Sequence, residues 1–132
     1  EVGKNELLLT ADTVVAAGKR ILHKTFDCSE ATRHLEILSN RRHTVLTCFC
    51  IKWNDSFKIT TVRTVLKMKK LSRKEITQYI AFDEWKGRAG GYSIQGRAKC
   101  FFPFVSGCYS NVVGLPIPKL MNVLKGLGYQ DI

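Results

Sequence analysis

Residues 43–53 constrain the fold most, because they carry apolar groups on both phases of a two-residue period. Val45, Phe49, Ile51 and Trp53 fall on one side, and Leu46, Cys48 and Cys50 on the other. A period of two is that of a β-strand. Apolar residues on both phases predict a central strand covered on both faces. Asn54-Asp55-Ser56 then gives a turn signal. A second strand over about residues 57–68 returns from it, so the middle of the chain reads as one long β-hairpin.

The flanking segments supply partners for that hairpin. Residues 6–15 are apolar, β-branched and nearly continuous, and predict a buried strand interrupted by Asp12 and Thr13. Gly18 allows a turn toward Ile21-Leu22. Asp27 is an N-cap with Glu30 three residues on. The helix that follows puts Ala31, Leu35 and Leu38 on one face, and Asn40 can end it in the left-handed conformation. Ser72 and Glu75 form a second capping box ahead of an Ile76, Tyr79, Ile80 stripe. Residues 98–105 and 109–113 read as strands. Gly114-Leu115-Pro116 turns into a last helix whose apolar face is Ile117, Leu120, Met121 and Leu124, broken by Gly126 and Gly128. The order predicts an α/β domain, a mixed twisted central sheet flanked by helices, with residues 1–132 forming a single domain.

Composition narrows the class. A hydrophobic content of 45% in 132 residues supports one core. No apolar run approaches the roughly 20 residues of a membrane span. The five cysteines are an odd number without a CxxC pair, which predicts reduced thiols in a cytoplasmic protein. Cys48 and Cys50 share a strand face, but the paired spacings of a zinc site are absent. The net charge of +10 points to anionic partners, or to a solvated surface. It peaks over residues 58–74, where Lys58, Arg63, Lys67, Lys69, Lys70, Arg73 and Lys74 occur without an acid. Solvated lysines that block strand pairing account for this run. Nucleic acid is the less favoured partner, because the run lacks interleaved aromatic residues.

Chemistry concentrates in residues 87–96, GRAGGYSIQG. Glycine permits positive φ and close approach of backbone to a ligand. Arg88 offers a fork of donors suited to phosphate, and the Gln95 amide can read a base edge. Two readings of Asp12 stand: a structural carboxylate capping a neighbouring loop, or a metal ligand or general base at a strand end. Lys24 can reach a phosphate as a point charge, or be solvated. His23, His34 and His43 fall into no catalytic order, and there is no GxxxxGK[ST] loop.

Ala11-Asp12-Thr13-Val14-Val15, Gly90-Gly91-Tyr92-Ser93-Ile94-Gln95-Gly96 and Asn111-Val112-Val113-Gly114-Leu115-Pro116, in this order, resemble the Maf family of septum-formation-inhibitor-like nucleotide pyrophosphatases. The resemblance runs from Glu6 to about Leu127. It implies a fold like that of the inosine-triphosphate pyrophosphatases, and hydrolysis of a nucleoside triphosphate to the monophosphate and pyrophosphate with Mg²⁺ or Mn²⁺. It implies that Asp12 is the proton acceptor and lies at the metal, and that Thr13 is a selectivity position. Lys24 matches a family lysine, with His23 and Thr25 in place of the usual Gly-Lys-Pro flanks. Arg88 stands where the family carries the lysine of Lys-Ala-Gly. Gln95 marks the subgroup acting on dTTP and UTP, where the branch preferring 7-methyl-GTP carries glutamate. A homodimer is a further implication.

The family pattern opens with a short strand, a Ser-x-x-Arg phosphate loop and a helix. This sequence starts just before the Ala-Asp-Thr strand, which implies an N-terminally truncated domain lacking the first strand and helix. Ser39-Asn40-Arg41-Arg42 matches Ser-x-x-Arg in letters but lies after the first helix, in the wrong order. The alternatives to a pyrophosphatase are therefore a non-catalytic remnant that binds nucleotides or a partner, and a basic nucleic-acid-binding module.

Overall fold

A computed structural model of the chain describes residues 6–129. The elements are β1 (Leu7–Ala17), β2 (Arg20–Ile21), α1 (Cys28–Leu38), β3 (Arg42–Trp53), β4 (Ser56–Lys67), α2 (Arg73–Ile80), β5 (Phe104–Ser106), α3 (Tyr109–Val113) and α4 (Ile117–Gly126). The strands form one five-stranded sheet in the order β2-β1-β3-β4-β5. The helix-flanked sheet expected from the sequence is present. Its pairings among the described residues are all antiparallel, a simpler arrangement than a mixed sheet.

The β3–β4 hairpin is the spine. Its register runs from Arg42 opposite Lys67 to Trp53 opposite Ser56, and Asn54 takes the left-handed conformation (φ 56°) at the tip. Side chains opposite one another share a face. His43, Val45, Thr47, Phe49 and Ile51 point inward and are buried. Val45 joins a larger core with α1 (Ala31, Leu35, Leu38), α2 (Ile76, Tyr79, Ile80) and the segment from Trp85 to Phe101. Phe49 and Ile51 join a smaller core with Leu120, Val123 and Leu124 of α4. Asp27 caps α1 by accepting from Ser29 N at 3.1 Å, and Ser72 and Glu75 close a reciprocal capping box on α2.

Several expectations from the sequence fail, each for an identifiable reason. The opposite sheet face is not covered among the described residues: Cys48 is exposed, as are Leu8, Phe57 and Ile59 on the neighbouring strands. The first half of β1 is likewise exposed rather than buried, because no described element packs over Leu7 or Leu9. Residues 98–105 are not one strand. Arg97–Phe101 coils into a 3₁₀ segment that buries Ala98 and Phe101, and strand β5 begins only after Pro103, whose missing N–H cannot serve a ladder. Residues 109–113 are helical despite the β-branched Val112-Val113 pair, because a helical turn lets Asn111 reach into the sheet. In α4 the buried stripe is Leu120, Val123 and Leu124, while Ile117 is exposed at the first turn. Glu30 faces His34 at 3.9 Å rather than closing a capping box.

Candidate functional site

The inward sheet face, the 87–96 loop and α3 border a cleft of about 250 Å³ at the edge of the larger core. Its lining includes Asp12 and Thr13 from β1, Lys24 from the turn before α1, Arg88 and Gln95 from the loop, and Gly114 after α3. All five residues singled out from the sequence therefore meet at one place.

Each element that delivers them is fixed by local chemistry. Asp12 is not a buried carboxylate: its side chain is 76% exposed and its Oδ1 accepts from the Thr13 N–H at 3.0 Å. The Lys24 ammonium stands 3.7 Å from the same oxygen. A pair this exposed contributes little stability, so both groups are available to a ligand. Lys24 is placed by its neighbours. Leu22 N bonds to Val15 O at 2.9 Å, and Thr25 O accepts from Gly87 N at 3.0 Å, which ties the turn to the loop.

The loop is anchored by two tyrosines. Tyr79 Oη, on α2, accepts from Ser93 N at 2.9 Å. Tyr92 Oη lies 2.7 Å from His43 Nε2 on β3. Burial pushes the Tyr79 hydroxyl up to about 12, raises that of Tyr92, and lowers His43 to about 4, so all three are neutral at ordinary pH. The glycines serve this packing more than ligand approach. A Cβ on Gly90, at φ 74°, would stand 2.9 Å from Val15 Cγ1. One on Gly96 would run into the Glu84 carboxylate, which accepts Arg97 N at 2.8 Å and pairs with the Arg97 guanidinium at 2.6 Å. The Arg97 N–H bond, with the guanidinium behind it, holds the Glu84 carboxyl below its ordinary range. Arg97 lies over Phe82 at 3.6 Å from the ring centre, so it braces the loop outside the cleft. Arg88 and Gln95 are exposed, and no carboxylate among the described residues pairs with Arg88.

Thr13, the expected selectivity position, is tied into the fold. Its hydroxyl is half-buried, 2.8 Å from the Thr47 hydroxyl and 3.4 Å from Gly114 O. Sequence reasoning passes over Thr47 and Asn111, both fully buried behind Thr13. Thr47 did carry a signal, as a polar residue at an inward phase between Val45 and Phe49. Asn111 opens the third motif, but nothing local marks its amide as inward-facing.

Among the described residues, Asp12 is the only carboxylate lining the cleft, and there is no cluster of three or more His, Cys, Asp or Glu side chains suited to a metal. Mg²⁺ typically takes one or two carboxylates, the rest of its shell being water and substrate phosphate. A single exposed aspartate beside two cations fits that pattern. The described cysteines are all free thiols, and no described helix is long and apolar enough to cross a membrane.

Comparison with known proteins bears on this site. The Maf-like protein family model matches residues 1–127. A protein of Maricaulis maris named dTTP/UTP pyrophosphatase is 50% identical over 123 residues, covering 92% of this chain and 59% of its own length. One of the same name from Roseobacter denitrificans is 41% identical over 126 residues, covering 96% and 67%. A nucleoside triphosphate pyrophosphatase of Rickettsia akari is 41% identical over 134 residues, covering 98% and 67%. The chain thus spans roughly three-fifths to two-thirds of the length of these relatives. With its three motifs gathered at one cleft and the family match running over nearly its whole length, the chain belongs to the Maf family.

Proposed function

We propose that this chain carries the nucleotide site of a nucleoside triphosphate pyrophosphatase acting on dTTP or UTP, releasing the monophosphate and pyrophosphate. The observation that carries the reading is the meeting of one carboxylate, two cations and one amide at a single cleft. The names of the relatives are consistent with it. The cleft volume lies just below the ligand-pocket range of about 300–1,000 Å³, so it holds part of a nucleotide and leaves the rest open to solvent.

The roles follow from the chemistry of the side chains. Lys24 and Arg88 neutralise phosphate oxygens, Lys24 as a point charge and Arg88 through paired donors. Asp12, exposed and hydrogen-bonded through one oxygen, orients a water and takes its proton. Gln95 presents donor and acceptor to the edge of the base. A divalent cation, when bound, supplies charge neutralisation at the phosphates, and Asp12 is the residue that would hold it.

A second reading, nucleotide binding without turnover, is favoured by Asp12 being the only carboxylate on the cleft among the described residues. Within the basic 58–74 run, Lys67 donates to Asn40 O at 3.1 Å and Lys69 pairs with Glu75, so two of its seven cations are engaged within the fold.

Pyrophosphate release from dTTP, UTP, CTP and 7-methyl-GTP with Mg²⁺ or Mn²⁺ tests the proposal. Turnover of dTTP or UTP is expected, falling about 100-fold or more in Asp12→Asn. Unchanged turnover in that variant removes Asp12 from the mechanism. Binding with no turnover selects the second reading.

A further inference from the structure

A second hollow, of about 330 Å³, lies against the cleft. The two share Asp12, Thr13, Lys24 and Ala89, so they meet at the Asp12–Lys24 pair, whose facing atoms are 3.7 Å apart. Arg88 and Gln95 border the cleft and not the hollow, whereas His23 borders the hollow and not the cleft. The turn that carries His23 and Lys24 is pinned at both ends. Leu22 is buried, its N–H donating to Val15 O at 2.9 Å and its carbonyl accepting from Gly90 N at 3.0 Å. Thr25 is buried too, its carbonyl accepting from Gly87 N at 3.0 Å and its hydroxyl from Asp27 N at 3.0 Å. Between these anchors His23 and Lys24 are both exposed. Among the described residues no carboxylate pairs with His23.

We infer that the hollow receives the departing pyrophosphate and that His23 contacts it there, beside Lys24. This deepens, and rests on, the assignment of the cleft to a nucleotide. With the base at Gln95 and the breaking bond at Asp12, the half of the substrate that is kept as the monophosphate fills the cleft. The half that leaves continues past Asp12 and Lys24, and the space it enters is the hollow. That space falls within the ligand-pocket range of about 300–1,000 Å³, which the cleft alone does not reach. The chemistry matches as well. The outer oxygens of pyrophosphate accept hydrogen bonds and carry negative charge. Imidazole has an N–H to donate in either protonation state, and Lys24 adds a compact positive charge. The family pattern carries glycine where this chain has His23, so the contact is particular to this chain.

Calorimetric binding of inorganic pyrophosphate and of UMP to the full chain, in Mg²⁺ buffer, tests this without any turnover. Native protein is expected to bind both, and to bind pyrophosphate with UMP already saturating, because the two occupy different spaces. His23→Ala is expected to weaken pyrophosphate about tenfold, as for one hydrogen bond to a charged group, and to leave UMP unchanged. His23→Gln keeps an N–H donor and is expected to recover part of that loss. Gln95→Ala is expected to show the opposite pattern, weakening UMP alone. Unchanged pyrophosphate affinity in His23→Ala, or displacement of pyrophosphate by UMP, overturns the inference and leaves the nucleotide reading in place. Weaker UMP binding in His23→Ala puts the nucleoside half in the hollow and also overturns it. Failure of native protein to bind UMP removes the nucleotide reading, and the inference with it.

Discussion

Single side chains at this cleft divide into those that face solvent and those whose partners are all internal. Lys24 and Arg88 belong to the first kind, and each is expected to act on ligand binding alone. Lys24→Ala and Arg88→Ala should each weaken nucleotide binding by roughly 10- to 100-fold, as for the loss of a charge-assisted hydrogen bond. Titration calorimetry checks this, with melting temperatures close to native. His43 belongs to the second kind. Burial lowers it from 6.5 to about 4, so the unfolded chain binds a proton in that window that the folded chain refuses. Its stabilising contribution is present above pH 6.5 and is lost as pH falls toward 4, on the order of 3 kcal/mol. Among the described residues Tyr92 is the titratable group that bonds to it, and Phe102 packs on its ring. His43→Gln should flatten the urea midpoint between pH 6.5 and 4. Of the exposed group, Arg88 was legible in the sequence because a charged residue beside glycines has few internal uses, whereas Lys24, between His23 and Thr25, was legible only through the family motif. The buried group was not, because a threonine or asparagine inside a strand or helix shows its partner only once remote segments have met.

At the level of elements, local signals held where the interactions are local. The capping box at Ser72 and Glu75, the Asp27 cap, the Gly18 turn (φ 61°) and the left-handed Asn40 (φ 58°) all follow from chain neighbours. The short segments after the loop were misread, since five residues such as Tyr109–Val113 carry too little periodicity to separate strand from helix. Their conformation is set by tertiary hydrogen bonds instead. The loop gives a direct test of the packing role of its glycines. Gly90→Ala combines a left-handed backbone with a Cβ 2.9 Å from Val15, and should cost about 2–3 kcal/mol by thermal or denaturant melts. Gly96→Ala meets only the far end of the Glu84 side chain, which can swing aside, and should lower the melting temperature less than Gly90→Ala, with loss of the Glu84–Arg97 pair.

Over the whole molecule, the helices and both cores lie on one side of the sheet, while the other side presents Leu8, Phe57 and Ile59 to solvent at 44%, 66% and 61% exposure. Contiguous apolar surface of this kind promotes self-association. Light scattering should therefore detect associated species of the 132-residue chain. The double substitution Phe57→Ser and Ile59→Thr should reduce them without lowering the melting temperature. The cleft's own construction carries a kinetic consequence. Its walls are joined by contacts such as Thr13 to Gly114, 101 residues apart in sequence, whereas the β3–β4 hairpin closes through a two-residue turn. Local closure precedes long-range closure, and loosely tied junctions open before a sheet melts. Under rising urea, ligand affinity should vanish at a lower concentration than the strand signal in circular dichroism, so that the molecule forgets its ligand before it forgets its shape.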